Sequence, residues 1–238
     1  MAYYFISDLH LGGEMPDTLR LLEHLLKRIA TDLSHLYILG DLFDAWIGDD
    51  EDSESAQQVI RTLRAVSASN IACYFIHGNR DFLVGERFAQ ETGFNLLPEH
   101  HPLTIHNRKV LLMHGDSLCV DDAEYMQFRA QVRNPAWQQT VLAMPLQQRR
   151  EMARQLRSQS KSMNSVKAED IMDVNDAAVD AAMFEHGANL LIHGHTHRPA
   201  VHDLAEGKQR VVLGDWRRNS AWYCRLDASG VELIHLSE

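Results

Sequence analysis

Residues 71–83 read IACYFIHGNRDFL. Ile71 to Ile76 form an apolar run of aromatic and branched side chains, the composition of a strand buried on both faces. The run breaks into Gly78-Asn79 and then sets a fixed positive charge, Arg80, beside Asp81. The same construction recurs along the chain. AYYFISDLH (2–10) ends in Asp8 and His10, HLYILGD (35–41) ends in Gly40-Asp41 with Asp44 following, KVLLMHGD (109–116) carries His114-Gly115, and NLLIHGHTH (189–197) delivers His195 and His197. Between the first three runs lie PDTLRLLEHLLKRIA, opened by Pro16, and SESAQQVIRTLRAV, opened by Ser53, both with helical apolar spacing. The order βαβαβ predicts parallel strands and an α/β fold whose chemistry gathers beyond the C-terminal strand ends.

From residue 101 the pattern changes. PLTIH and KVLLMH flank Asn107-Arg108 as a hairpin, and VVLGD, WYCRLD and VELIHL follow one another through turns such as Ala-Ser-Gly, so the second half reads as antiparallel. Val120 to about Lys167 has another texture, rich in Gln, Arg, Met and Ala with helical periodicity and no strand. We assign residues 1–120 and 168–238 to a core and 121–167 to an inserted helical cap. Residues 122–167 hold eight Lys or Arg against three acids, a local charge of +5 in a chain of net −10, so the remainder carries −15.

At 238 residues and 45% hydrophobic the chain is long enough for one full core. Its acidity argues against a general nucleic-acid binder, which needs a basic surface to displace counterions. Cys73, Cys119 and Cys224 are odd in number and widely spaced, which fits neither a disulfide framework nor a zinc knuckle and suits a reducing cytoplasm. No secretory leader and no apolar stretch of membrane-spanning length is legible, which leaves peripheral contact with a membrane open.

Taken singly, each strand-end residue could be a capping Asp or a loop His. Capping alone does not require Asp, Asn and His to recur at several strand ends facing one rim. The order D-x-H, GDxxD, GN-x-D, H-G, GH-x-H, met from residue 8 to residue 197, resembles that of the calcineurin-like metallophosphoesterases. The resemblance implies their fold, a two-sheet β-sandwich core flanked by helices, and a two-metal site. In it Asp8, His10, Asp41 and His197 would hold one ion, Asp41, Asn79, His114 and His195 the other, with Asp41 shared. A shared carboxylate holds two cations close together, while neutral imidazoles and an amide complete the shells without cancelling the charge that polarises phosphate. Mixed oxygen and nitrogen donors without sulfur favour Mn²⁺ over a structural zinc. Asp44, His77 and Asp81 read as residues that orient the ligands or serve structure.

Arg80 departs from the commoner family pattern, which has histidine there. Arginine does not deliver a proton near neutral pH, but its forked charge matches two phosphate oxygens, as a pyrophosphate presents, and a phosphate leaving group departs with little proton assistance. The alternative is a structural pair with Asp81 or Glu86. In the cap, Ser160, Asn164 and Lys167 fall at i, i+4 and i+7, one helical face.

Arg80 and this face together resemble the UDP-2,3-diacylglucosamine hydrolase family of lipid A biosynthesis. That resemblance implies pyrophosphate hydrolysis in a diacylated UDP-sugar, releasing UMP and 2,3-diacylglucosamine 1-phosphate. It implies catalytic roles for Asn79, Arg80 and His195, substrate contacts from these three with Asp122, Ser160, Asn164 and Lys167, and two Mn²⁺ ions. It also implies a cytoplasmic protein at the anionic inner face of the inner membrane; no nucleic-acid or protein partner is expected. A nucleotide phosphodiesterase or protein phosphatase on the same fold is the alternative. The cap's interleaved apolar residues would either pack on themselves or line a groove for acyl chains.

Overall fold

The computed structural model describes residues 1–12, 16–164 and 173–237. The first sheet has the order β11-β10-β1-β2-β3-β4, built from β1 (Ala2–Ile6), β2 (Leu33–Ile38), β3 (Ala72–Phe75), β4 (Asn95–Leu96), β10 (Ser220–Asp227) and β11 (Gly230–Ser237). Strands β1 to β4 are parallel, and β10 and β11 close one edge antiparallel. The second sheet has the order β5-β6-β7-β9-β8, from β5 (His101–Ile105), β6 (Arg108–Leu112), β7 (Leu190–His193), β8 (Ala200–Asp203) and β9 (Gln209–Val212).

The strands are apolar on both faces because both faces are covered. In β1, Phe5 points between the sheets with Tyr37, Ile76, Val110 and Ile192. Tyr4 and Ile6 point the other way, into a cluster with α1 (Pro16–Ile29), α2 (Glu54–Ser67) and α3 (Glu86–Thr92). In the second sheet Leu111, Met113 and Leu191 face outward under α7 (Asp176–Glu185), against Val179 and Met183. The result is a helix, sheet, sheet, helix stack. Helix α2 starts where expected, with the Ser53 side chain accepting from Ala56 N.

Two expectations are corrected. The second half is not antiparallel throughout: β6, β7 and β9 run parallel, flanked by antiparallel β5 and β8. The chain leaves β6 and returns to β7 only after a long helical excursion, a crossover that brings a strand back in the same direction. The hairpin turn is His106-Asn107, one residue earlier than Asn107-Arg108. Both residues take positive φ, 45° and 66°, as a tight two-residue hairpin requires, and Arg108 already pairs with Ile105. Strand β8 and helix α7 were not anticipated. The first is a half-exposed edge of four residues, the second an Ala-rich stretch with a weak apolar stripe.

Helices α4 (Ala123–Val132), α5 (Pro135–Leu142) and α6 (Leu146–Asn164) lie between β6 and β7 in the chain. Asp122 and Asn134 cap α4 and α5. Some of their apolar residues join the main core instead of forming one of their own: Val141 is buried in the cluster of Phe43, Trp46 and Phe88, and Trp137 and Met152 pack against it. Arginines of this segment turn inward to acids of the rest of the chain. Arg149 pairs with Asp50, Arg150 with Glu51 and Asp52, Arg157 with Asp44, and Arg129 with Asp116 and Glu99. The basic segment and the acidic remainder therefore complement each other.

Candidate metal centre

The chain leaves β1, β2, β3, β6 and β7 at the same rim of the sandwich, and each exit loop brings one or more of the expected residues there. Strand hydrogen bonding carries on past the strand ends, with Asp8 N donating to Gly40 O at 3.1 Å and His10 N to Asp41 O at 3.0 Å. The backbone then turns sharply. Asp8, His10, Asp41, His195 and His197 all have positive φ, between 49° and 69°. Side chains other than Gly, Asn and Asp are uncommon in that region, and such strain collects at functional sites. Gly40 and Gly78 make the approach possible: a Cβ on Gly40 would meet the backbone of Gly78 at about 2.5 Å, and one on Gly78 would collide with Asp41.

All seven expected ligands converge. Donor atoms of Asp8, His10 and His197 lie within 4.8 Å of one another, as do those of Asp8, Asp41 and His114. Asp41 faces both groups, Oδ1 at 3.6 Å from His114 Nε2 and Oδ2 at 3.9 Å from His10 Nδ1. Asn79 Oδ1 joins the second group, 2.9 Å from both His114 Nε2 and His195 Nδ1. Asp8, Asp41 and His114 are buried, whereas the His197 side chain is 38% exposed, so the cluster opens to solvent on the His10 and His197 side.

The donor set fits cations. His114 Nδ1 donates to Leu39 O at 2.8 Å, which fixes the ring with Nε2 turned into the cluster. Burial pushes His10 down to about 4 and His195 down to about 3, so both are neutral at pH 7. The Nε2 atoms of His10 and His197 stand 3.3 Å apart. Asp8 Oδ1 and His10 Nδ1 are buried without a hydrogen-bond partner. Burial, with Asp81 and Asp8 adding and His114 opposing, pushes Asp41 up to about 7. Two buried carboxylates, Asp8 and Asp41, thus face the neutral imidazoles of His10 and His195 and the amide oxygen of Asn79, a donor set that divalent cations match.

Asp81 is a structural centre. It is fully buried, and its carboxylate accepts from Gly78 N (2.8 Å), Asp41 N (3.2 Å), Leu42 N (2.7 Å) and Phe43 N (3.4 Å). It fixes the loop bearing Asp41 to the loop bearing Asn79 and Arg80. Arg80 is left to other work: among the described residues its guanidinium pairs with neither Asp81 nor Glu86, and donates to Ser160 Oγ at 3.4 Å. Its Nε is buried without a partner. Arg80 N donates to Asp41 Oδ1 at 2.8 Å, which ties the guanidinium's base to the metal cluster. His77 is structural, 2.7 Å from Val84 O.

Beside the cluster is a pocket lined by Asn79, Arg80, Asp122 and Ser160 among its polar residues and by Phe82, Trp137, Val141 and Leu156 among its apolar ones. Of the expected substrate contacts, Lys167 and the side chain of Asn164 lie outside the described residues. Tyr125 and Arg157 also line the pocket and were missed. Arg157 clasps Asp44 with both ends of its fork. Its position one turn before Ser160 was the available signal. Tyr125 was counted among apolar packing residues, yet its ring lies 5.6 Å from that of His195.

Residues 1–199 match the model of the calcineurin-like phosphoesterase family. A UDP-2,3-diacylglucosamine hydrolase of Escherichia coli O7:K1 is 50% identical over 238 residues, covering 99% of each chain. One of Haemophilus influenzae (strain PittGG) is 48% identical over 227 residues, covering 95% of each. The chain belongs to the UDP-2,3-diacylglucosamine hydrolase family. It is a hydrolase of the metallophosphoesterase type with residues for a dinuclear metal site. An archaeal phosphodiesterase shares the fold, with a TM-score of 0.54 at 13% identity over 99% of this chain and 100% of that one. The matched span, residues 1–199, includes α4–α6.

Proposed function

We propose that the protein hydrolyses the pyrophosphate bond of UDP-2,3-diacylglucosamine to UMP and 2,3-diacylglucosamine 1-phosphate, with two Mn²⁺ ions held by the seven converging residues. The observation that carries this is the adjoining of two unlike surfaces: a carboxylate and imidazole cluster flanked by an arginine whose buried Nε has no partner among the described residues, beside a pocket with a largely apolar lining. When bound, two divalent cations neutralise phosphoryl charge and make an attacking water nucleophilic near neutral pH.

The chain's own residues do the rest. Asp8, His10, Asp41 and His197 form one ligand group and Asp41, Asn79, His114 and His195 the other. Arg80 places a permanent forked charge on the phosphate oxygens; burial lowers its pKa and Asp41 opposes this, and a guanidinium stays protonated. His195, held neutral by burial, is not a proton donor at pH 7, which suits a leaving group that is itself a phosphate. Asp122, Ser160 and Arg80 supply polar groups to the pocket lining, and the apolar walls receive acyl chain. Asn164 and Lys167 extend this contact set. Residues 121–167 act as a substrate-binding cap on a core of 1–120 and 168–238.

No helix among the described residues is long and apolar enough to cross a membrane. We place the protein at the cytoplasmic face of the inner membrane, meeting its lipid-borne substrate at the pocket mouth, without a protein or nucleic-acid partner.

The test is a substrate panel with Mn²⁺: UDP-2,3-diacylglucosamine, a phosphomonoester, a cyclic nucleotide and a phosphopeptide. Release of UMP from the lipid at a kcat/KM at least about a thousandfold above the others is expected. Preference for the cyclic nucleotide or phosphopeptide would overturn the assignment.

A further inference from the structure

Tyr125, Arg129 and Arg133 are spaced four apart on α4, one face of the helix, and all three turn to one carboxylate. Asp116 is 1% exposed, in a single 3₁₀ turn (Asp116–Leu118) two residues after His114. Tyr125 Oη donates to Asp116 Oδ2 at 2.9 Å, Arg129 Nε donates to the same oxygen at 2.9 Å, and Arg133 Nη2 stands 3.7 Å from it. Arg133 Nη2 also donates to the carbonyls of His77 (3.2 Å) and Gly78 (3.1 Å), directly before Asn79. On its other side the Tyr125 ring lies against His195, whose Nδ1 is 2.9 Å from Asn79 Oδ1. One face of α4 is therefore fastened to the loops after β3, β6 and β7, the loops that bring Asn79, His114 and His195 to the cluster.

Tyr125 is also a wall of the pocket, beside Asn79, Arg80 and Ser160. A buried carboxylate that accepts from a phenol and a guanidinium has little freedom to rotate without leaving one donor unmatched. We propose that Asp116 is a positioning residue: through Tyr125 and Arg129 it sets the pocket wall on α4 at a fixed distance from the metal cluster. The part of the substrate beyond the reacting phosphate then meets that wall in register with the bond to be cut. This rests on the pocket being the site of the acylated UDP-sugar, and it predicts an effect on binding more than on the chemical step.

The experiment uses Asp116→Ala, which removes the oxygen both donors share, Tyr125→Phe and the double variant, each loaded with Mn²⁺ and checked for metal content. With UDP-2,3-diacylglucosamine, each single variant is expected to raise KM about tenfold with kcat within about threefold of wild type. The double variant is expected to be no worse than the more affected single, because both changes break one unit. A second readout needs no substrate: hydrogen exchange of amides 123–132 should speed up in Asp116→Ala relative to those of α1. Multiplying losses in the double variant, a fall in kcat at constant KM, or unchanged α4 exchange would each overturn the proposal. A wild-type protein that does not cut the lipid refutes the function instead, and the exchange result still decides whether Asp116 holds α4.

Discussion

Asp81→Asn isolates what holds the two ligand loops together. The substitution keeps size and shape but converts a buried carboxylate that accepts from four backbone N–H groups into an amide that offers one oxygen. If the amide oxygen stays on Gly78 N and Asp41 N, the NH₂ group faces Leu42 N and Phe43 N, donor against donor. The 2.7 Å bond from Leu42 is charge-assisted, and its loss costs roughly 1.5–3 kcal/mol, with a further ~1–3 for the NH₂ left without an acceptor. Burial, which raises the Asp81 pKa against these N–H donors, is relieved in the neutral amide and moves the total to the low end, about 3 kcal/mol. For a chain of this size that corresponds to a melting temperature lower by about 10 °C, read by circular dichroism on the metal-free protein. Because the same carboxylate registers Asp41 against Asn79 and Arg80, kcat on the lipid substrate should fall by about a hundredfold, the scale of an ångström-sized misplacement. A drop of less than about 3 °C with kcat intact would refute the role given to Asp81.

Other outcomes follow from the same geometry. Asp41→Asn should lower kcat by about a thousandfold or more and reduce bound Mn²⁺ below two per chain by elemental analysis; retention of a tenth of wild-type kcat would rule out a shared carboxylate. Arg80→Lys should lose about a hundredfold in kcat/KM and Arg80→His should not restore it, since neither reproduces a permanent forked charge; wild-type rates in both would make the arginine structural. Arg149, whose side chain is 3% exposed, donates to Ile47 O at 2.5 Å and Met144 O at 3.0 Å and pairs with half-exposed Asp50. Arg149→Met should therefore cost about 2–3 kcal/mol, from the stranded carbonyls more than from the screened ion pair, and chemical denaturation should show it. Removing metal with a chelator should abolish UMP release and lower the melting temperature, and added Mn²⁺ should restore both.

The sequence by itself determined the parallel half of the first sheet and picked out the residues that meet at its rim. Runs such as AYYFI and LLI are apolar at every position because both faces are buried, and that signal is local, as are the Ser53 cap and the residues that end each run. The seven candidate residues were legible because each sits within a few residues of a strand end, where the chain's own order dictates which way the rim faces. The second sheet was misread because strand direction depends on where a chain returns to, and β6 meets β7 across the whole helical segment. Roles that arise only from meetings between distant residues were not legible either. Asp81 was read as an orienting or structural residue, but its four backbone partners were not legible, and Asp116 and Tyr125 show no pattern in the sequence until α4 and its C-cap lay three side chains over one carboxylate. Likewise the arginines of residues 122–167 read as free positive charge, and only the tertiary structure pairs them with Asp44, Asp50, Glu51 and Asp116. Long-range pairing depends on distances in space that no spacing along the chain encodes.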